Sequence, residues 1–162
     1  MQSARFIPAI CVLFAAAVLS GCGHLRAYFQ HGYTSTAVIQ VGDAGGNAPA
    51  VATTEAVNRL ASSVLSRAAL VEIIRNFELY SDHLQSMPVE DVIELMRRDV
   101  TIQAAGNLGG GMHGMRIGFT YADRLAAQRV TQELVTRFIE LDRQSNAPLP
   151  LKLIDPPSLP SQ

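Results

Sequence analysis

The 162-residue chain has no tryptophan, and aromatic residues make up only 6% of it. Stacking platforms for bases and aromatic clefts for sugars therefore have little to be built from. Two cysteines occur, Cys11 and Cys22, both close to the start. The rest of the chain carries no thiol, which excludes a disulfide framework and a cysteine-based zinc site there. An excess of positive charge is also missing: 13 Lys and Arg stand against 14 Asp and Glu, a net charge of −1. A nucleic-acid binder needs a basic face to neutralise phosphates, so no nucleic-acid partner is expected. With 48% hydrophobic and 17% charged residues, the chain is long enough for one domain with a real core plus appendages.

Catalytic signatures are missing as well. The histidines are His24, His31, His83 and His113, and no two are spaced as metal ligands on one helical turn. A lone histidine of this kind is usually solvated; His24 and His31 could at most titrate beside a membrane surface. No G-x-S-x-G occurs. The glycine-rich "GNLGGGMHG" at 106–114 lacks the Gly-Lys-Ser/Thr of a phosphate-binding loop and leads into a strand pattern, so it reads as a hairpin loop. Glu90, Asp91 and Glu94 cluster, but acids in a first helical turn complement the helix dipole. No catalytic residue, metal ligand or cofactor is expected, and the chain reads as a non-enzyme.

The informative feature is the N-terminus. "MQSAR" carries one positive charge, at Arg5, and the fourteen residues from Phe6 to Leu19 carry none. A basic start, an apolar run and a small-residue end form the layout of a secretory signal. The run is short for a spanning helix, which needs about 20 residues. Leu19-Ser20-Gly21-Cys22 resembles the lipobox of bacterial lipoproteins at every position. That resemblance implies cleavage before Cys22, a diacylglyceryl group on its thiol, and anchorage by two or three acyl chains. The alternative is an uncleaved membrane helix over residues 6–25, flanked by Arg5 and Arg26. Either way the expected site is the cell envelope, with the domain facing the periplasm and the choice of membrane open.

The organisation that follows is a signal (1–21) or membrane helix (6–25), a tether (22–32), a domain (33–155) and a proline-rich tail (156–162). "YTSTAVIQV" at 33–41 alternates and is rich in β-branched residues, which predicts a strand. Residues 42–50 read as a loop. Residues 54–79 carry helical spacing, with Ser66 placed as the cap of a second segment that faces Leu70, Ile73, Ile74 and Phe77 inward. "YSDHLQS" reads as a connector. Pro88 opens a short helix at its first position, with Arg97 and Arg98 in its last turn. Strands are predicted at 99–104 and 115–121, pairing as a hairpin across the glycines. Asp123 caps a long helix to about Gln144 whose inward face carries Ala126, Val130, Leu134, Phe138 and Leu141. A last strand covers 151–155, and the prolines beyond it suit neither helix nor central sheet. The order is βαββαβ: an α+β, ferredoxin-like domain with helices on one face of an antiparallel sheet.

Four pieces of this domain together resemble the chain-length-determinant (Wzz-like) family, the polysaccharide co-polymerases: "YTSTAVIQV", "RLASSVLSRAALVEIIRNFELY", "MPVEDVIELMRRDVTIQ" and "MRIGFTYADRLAAQRVTQELVTRFIELDRQ". With "LKLIDPPSLPSQ" they cover about residues 33–160. No single piece is specific; their order and spacing are. The resemblance implies a homo-oligomer, a polysaccharide polymerase or export machinery as partner, and control of polysaccharide chain length. The sequence departs from the family in showing no second membrane helix after the prolines, no kinase domain and no long helical insertion. Arg124 also stands where a proline commonly follows the aspartate. A shortened relative that assists an exporter or assembles with a full-length partner is the expectation, with a lipoprotein that binds an unrelated ligand or protein as the alternative.

Overall fold

The computed structural model describes residues 32–42, 50–107, 113–146, 148–149 and 151–160. In chain order these form β1 (Tyr33–Val41), α1 (Ala50–Val64), α2 (Arg67–Asn76), α3 (Ser81–Ser86), α4 (Val89–Asp99), β2 (Val100–Asn107), β3 (His113–Tyr121), α5 (Arg124–Gln144) and β4 (Leu151–Asp155). The strands make one antiparallel sheet in the order β2-β3-β1-β4. This is the α+β, ferredoxin-like arrangement the strand and helix order implies.

Strand β1 shows why the sheet has two unlike faces. Ser35, Ala37, Ile39 and Val41 are buried, while Thr34, Thr36, Val38 and Gln40 point the other way and are wetter. Period-two alternation puts the first set under the helices and the second on an open face, the usual state of an antiparallel sheet. β3 repeats the pattern: Met115, Ile117 and Phe119 are buried and Arg116 is exposed. Gly118 sits on the open face between Thr101 and Thr36, where an added Cβ would lie 2.6 Å from Thr101 Oγ1. Its lack of a side chain lets the threonines of β2 and β1 close over β3.

α5 lies across β1 and β3 and supplies Ala127, Val130, Leu134, Val135 and Phe138 to the core, which α1, α2 and α4 complete with Val64, Leu70, Ile73, Ile74, Val92 and Met96. Two caps fall where the sequence places them. Ser66 Oγ accepts the Ala69 N–H at 3.4 Å and separates α1 from α2. Asp123 Oδ1 accepts the Ala126 N–H at 2.6 Å and starts α5.

Several boundaries move. The first helix begins at Ala50 rather than residue 54, and the second ends at Asn76 rather than 79. Pro88 stands at the N-cap of α4, not its first helical position, because its ψ of 148° is still extended. The stretch 80–86 is not an irregular connector: Ser81–Ser86 close into α3, with the Leu84 N–H bonded to Tyr80 O and the Met87 N–H to His83 O, both at 2.9 Å. The stretch contains no glycine or proline to prevent that turn. β2 and β3 run further toward their hairpin than predicted, to Asn107 and from His113. Ala126 and Leu141 are half-buried, while Ala127, Thr131, Val135 and Asp142 face inward instead. The stripe widens around the helix because 3.6 residues per turn does not return to the same line.

Asp142, 3% exposed at the end of α5, is the least expected of these. Its Oδ1 accepts the Leu149 N–H at 2.8 Å and so turns the chain from α5 into β4. Asp142→Ala leaves that buried N–H without its acceptor. The expected cost is about 1–3 kcal/mol of unfolding free energy, read as a lower urea midpoint at unchanged slope.

Candidate interaction surfaces

Cys22, the one site residue expected from sequence, lies outside the described residues, as do His24 and His31. His83 is half-buried on α3, its ring edge-on to Tyr80 with centroids 6.1 Å apart, and His113 is exposed at the start of β3. Among the described residues no three of the His, Cys, Asp and Glu side chains gather as a metal site, and no helix is long and apolar enough to cross a membrane.

The first surface is the end of the sheet where the domain begins. β4 runs antiparallel to β1, with a register shift at Val38/Ile39. The tail beyond it stays beside β1. The Ser158 N–H donates to Thr36 O at 3.0 Å, the Thr36 N–H to Ser158 Oγ at 3.2 Å, and the Ser35 hydroxyl to Ser158 O at 2.8 Å. From α5, Gln128 Nε2 holds Pro157 O at 3.1 Å. The prolines are thus neither helix nor paired strand, as expected, but they are docked, with Pro157 and Pro160 buried. The start of β1 and the tail after β4 lie side by side.

At this same end an aromatic cluster ties the helices to the sheet. Glu78 and Tyr80 have φ of 51° and 56°, a left-handed conformation costing a non-glycine residue about 1–2 kcal/mol. Tyr80 is held there from three sides. Its N–H donates to Tyr121 Oη at 2.9 Å, its hydroxyl donates to Asp99 Oδ2 at 2.6 Å, and its ring meets Tyr121 edge-on at 5.2 Å. Tyr121 in turn stacks on Phe119. Burial, reinforced by the bond to Asp99, raises the Tyr80 phenol far above its ordinary range, so it remains a donor. Burial also pushes the Asp99 carboxyl up, and the Tyr80 hydrogen bond and the charges of Arg98 and His83 offset part of that.

The second surface is a groove of about 610 Å³ between α1–α2 and α5, lined among others by Ser63, Ser66, Glu72, Glu133, Arg137 and Glu140. Arg137 spans it. Its Nη1 pairs with Glu72 across the groove at 2.9 Å and its Nε with Glu133 one turn back at 2.7 Å. The hydrogen bond and charge of Arg137 hold the Glu72 carboxyl below its ordinary value. With both neighbours engaged, the guanidinium works as a strut between helices. The Glu133–Arg137 spacing is visible in sequence as an i, i+4 pair. The link to Glu72, 65 positions away, is not.

A smaller cavity of about 220 Å³ opens at the far end of the sheet, between α1 and the β2–β3 hairpin, over Val41, Val57, Ile102 and Met115 with Asn58 and His113 at its lining. It joins an apolar wall to a polar rim, with no Asp, Glu, Lys or Arg in its lining.

The cluster around Asp99 carries a pH signature. Its carboxyl is raised in the folded chain, so the folded state holds that proton more tightly than the unfolded one. The resulting stability is complete below the ordinary aspartate value and is lost as pH rises through the raised one. Asp99→Asn can still accept from Tyr80 but has no such proton. Its stability relative to the wild type therefore rises with pH across the acidic window just above the ordinary value, about 3.9. Urea titrations at stepped pH measure this, and a difference flat in pH contradicts it. No protein-family model matches the chain, and no curated protein sequence does either.

Proposed function

We propose that this is a non-enzymatic protein of the cell envelope that assists the synthesis, chain-length control or export of a polysaccharide through an oligomeric periplasmic domain. The observation that carries the reading is the pairing of the domain's two ends. Tyr33 opens β1, and the tail that closes the domain is hydrogen-bonded to Ser35 and Thr36 beside it. A domain that enters and leaves at one end stands on a surface with its other end free. This suits the lipobox-like Leu19–Cys22 upstream of β1 and the proline-rich return in the Wzz-like segments.

A ligand-binding envelope lipoprotein is the second reading, and the cavity beside Met115 favours it. The two part on phenotype. Deleting the gene shifts the length distribution of the surface or exported polysaccharide on the first reading and leaves it unchanged on the second. Anchorage is read separately, by metabolic labelling with a fatty acid. Cys22→Ala is expected to lose the label and remain at precursor size. Membrane retention of an unlabelled wild type points instead to a helix over residues 6–25.

A further inference from the structure

The sheet has two outer strands, and they are finished differently. β4 is five residues long, carries Lys152 and Asp155, and is followed by Pro156 and Pro157, whose nitrogens have no hydrogen to donate. Charge and proline are the usual means of blunting a sheet edge. β2 has neither. Its eight residues, "VTIQAAGN", contain no charge and no proline, and they are in regular register with β3 from Val100 to Ala104. Among the described residues nothing pairs with its outer side. Such an edge is a template for another strand.

We infer that the outer edge of β2 is the contact with a second copy of this chain, the two β2 strands pairing antiparallel about a twofold axis at Ile102. The sequence of the strand selects itself as partner. A strand paired with its own copy about a twofold axis sets any charge at the axis against its duplicate, and "VTIQA" has none. Centring on Ile102 sets that side chain against Ile102 of the other copy on the helical side. It sets Thr101 against Gln103 of the other copy on the open side, where both are exposed. Apolar meets apolar and hydroxyl meets amide in every row. The cavity over Val41, Val57 and Met115 reaches the half-buried Ile102 from within, so the inner side of the edge is not fully packed in the single chain. The Ile102 of the other copy sits at that opening. A foreign strand is disfavoured because nothing on the edge, neither charge nor deep side-chain slot, would choose it. This contact does not rest on the polysaccharide reading and can stand if that reading fails.

A charge exchange at the two exposed positions tests it, using the full chain in detergent. Gln103 lies opposite Arg116 within its own sheet, so a glutamate there is accommodated. In Thr101→Glu/Gln103→Glu, the carboxylate at position 101 of each copy faces the one at position 103 of the other, and self-association is expected to weaken about tenfold. In Thr101→Lys/Gln103→Glu each new ammonium faces a carboxylate, and association holds at the wild-type level or tightens. Sedimentation measures both, with thermal unfolding by circular dichroism as the check on fold. In the wild type, amide exchange at Thr101–Gln103 slows as protein concentration rises. Equal behaviour of the two variants overturns the contact, as does a wild type that stays monomeric up to about 0.1 mM or exchange independent of concentration.

Discussion

The structure depends on β1. It is the first strand in sequence and an inner strand in space, hydrogen-bonded to β3 on one side and to β4 and the tail on the other. Its partners lie more than 70 residues away along the chain, so none of its pairings forms locally. Such long loops close slowly, and the contacts that compensate for them arrive late in folding. The buried row Ala37, Ile39 and Val41 is what α5 packs against, and the buried hydroxyl of Ser35 finds its acceptor only when Ser158 is in place. An inner strand that leads the chain makes the whole domain one cooperative unit: β4 and the tail have nothing to pair with until β1 is seated.

The helical layer is fastened to this sheet at separate points with different chemistry. At the end where β1 begins, Tyr80 bridges four elements: it sits between α2 and α3, its hydroxyl bonds Asp99 at the end of α4, and its backbone N–H bonds Tyr121 of β3. The left-handed backbone there is strained, and strain of this kind persists only where surrounding contacts fix it. Along the helices, Arg137 joins α5 to α2 through charges that remain mostly in water at Glu72. Exposed ion pairs stabilise little, about 0–1 kcal/mol. The first fastening fixes the fold; the second orients helices whose apolar stripes have already met.

How much of this could be read from sequence follows the range of the interactions. Ser66 and Asp123 act on N–H groups three residues ahead, and both caps were legible. So were the alternation of β1 and β3, the hairpin between β2 and β3, and the stripe Val130, Leu134 and Phe138. From the element order the α+β, ferredoxin-like class followed. What the sequence concealed was tertiary. The Tyr80–Asp99–Tyr121 cluster joins residues 19 and 41 apart, and no local pattern marks them. Asp142 looks like a surface residue of a charged helix end until Leu149 folds back onto it. α3 was hidden for a different reason: six residues with no buried side chain have no apolar period to betray them. The candidate surfaces divide the same way. The lipobox-like tetrapeptide is a local signal. The groove, the cavity and the docked tail come from residues that only the fold brings together.

The asymmetry of the sheet follows from where its ends are used. One end holds the start of β1, the docked prolines and the tyrosine cluster, and it is closed by side-chain hydrogen bonds. The other end carries the last residue of β1, paired to His113 and Leu151. The same contrast runs across the sheet. β4 carries charge and runs into prolines, and the tail beyond it continues along β1. β2 lies at the opposite edge, uncharged and regular, with the cavity behind it. Neither the core nor the caps require that arrangement, so the open edge is the part of the sheet that stability alone does not explain.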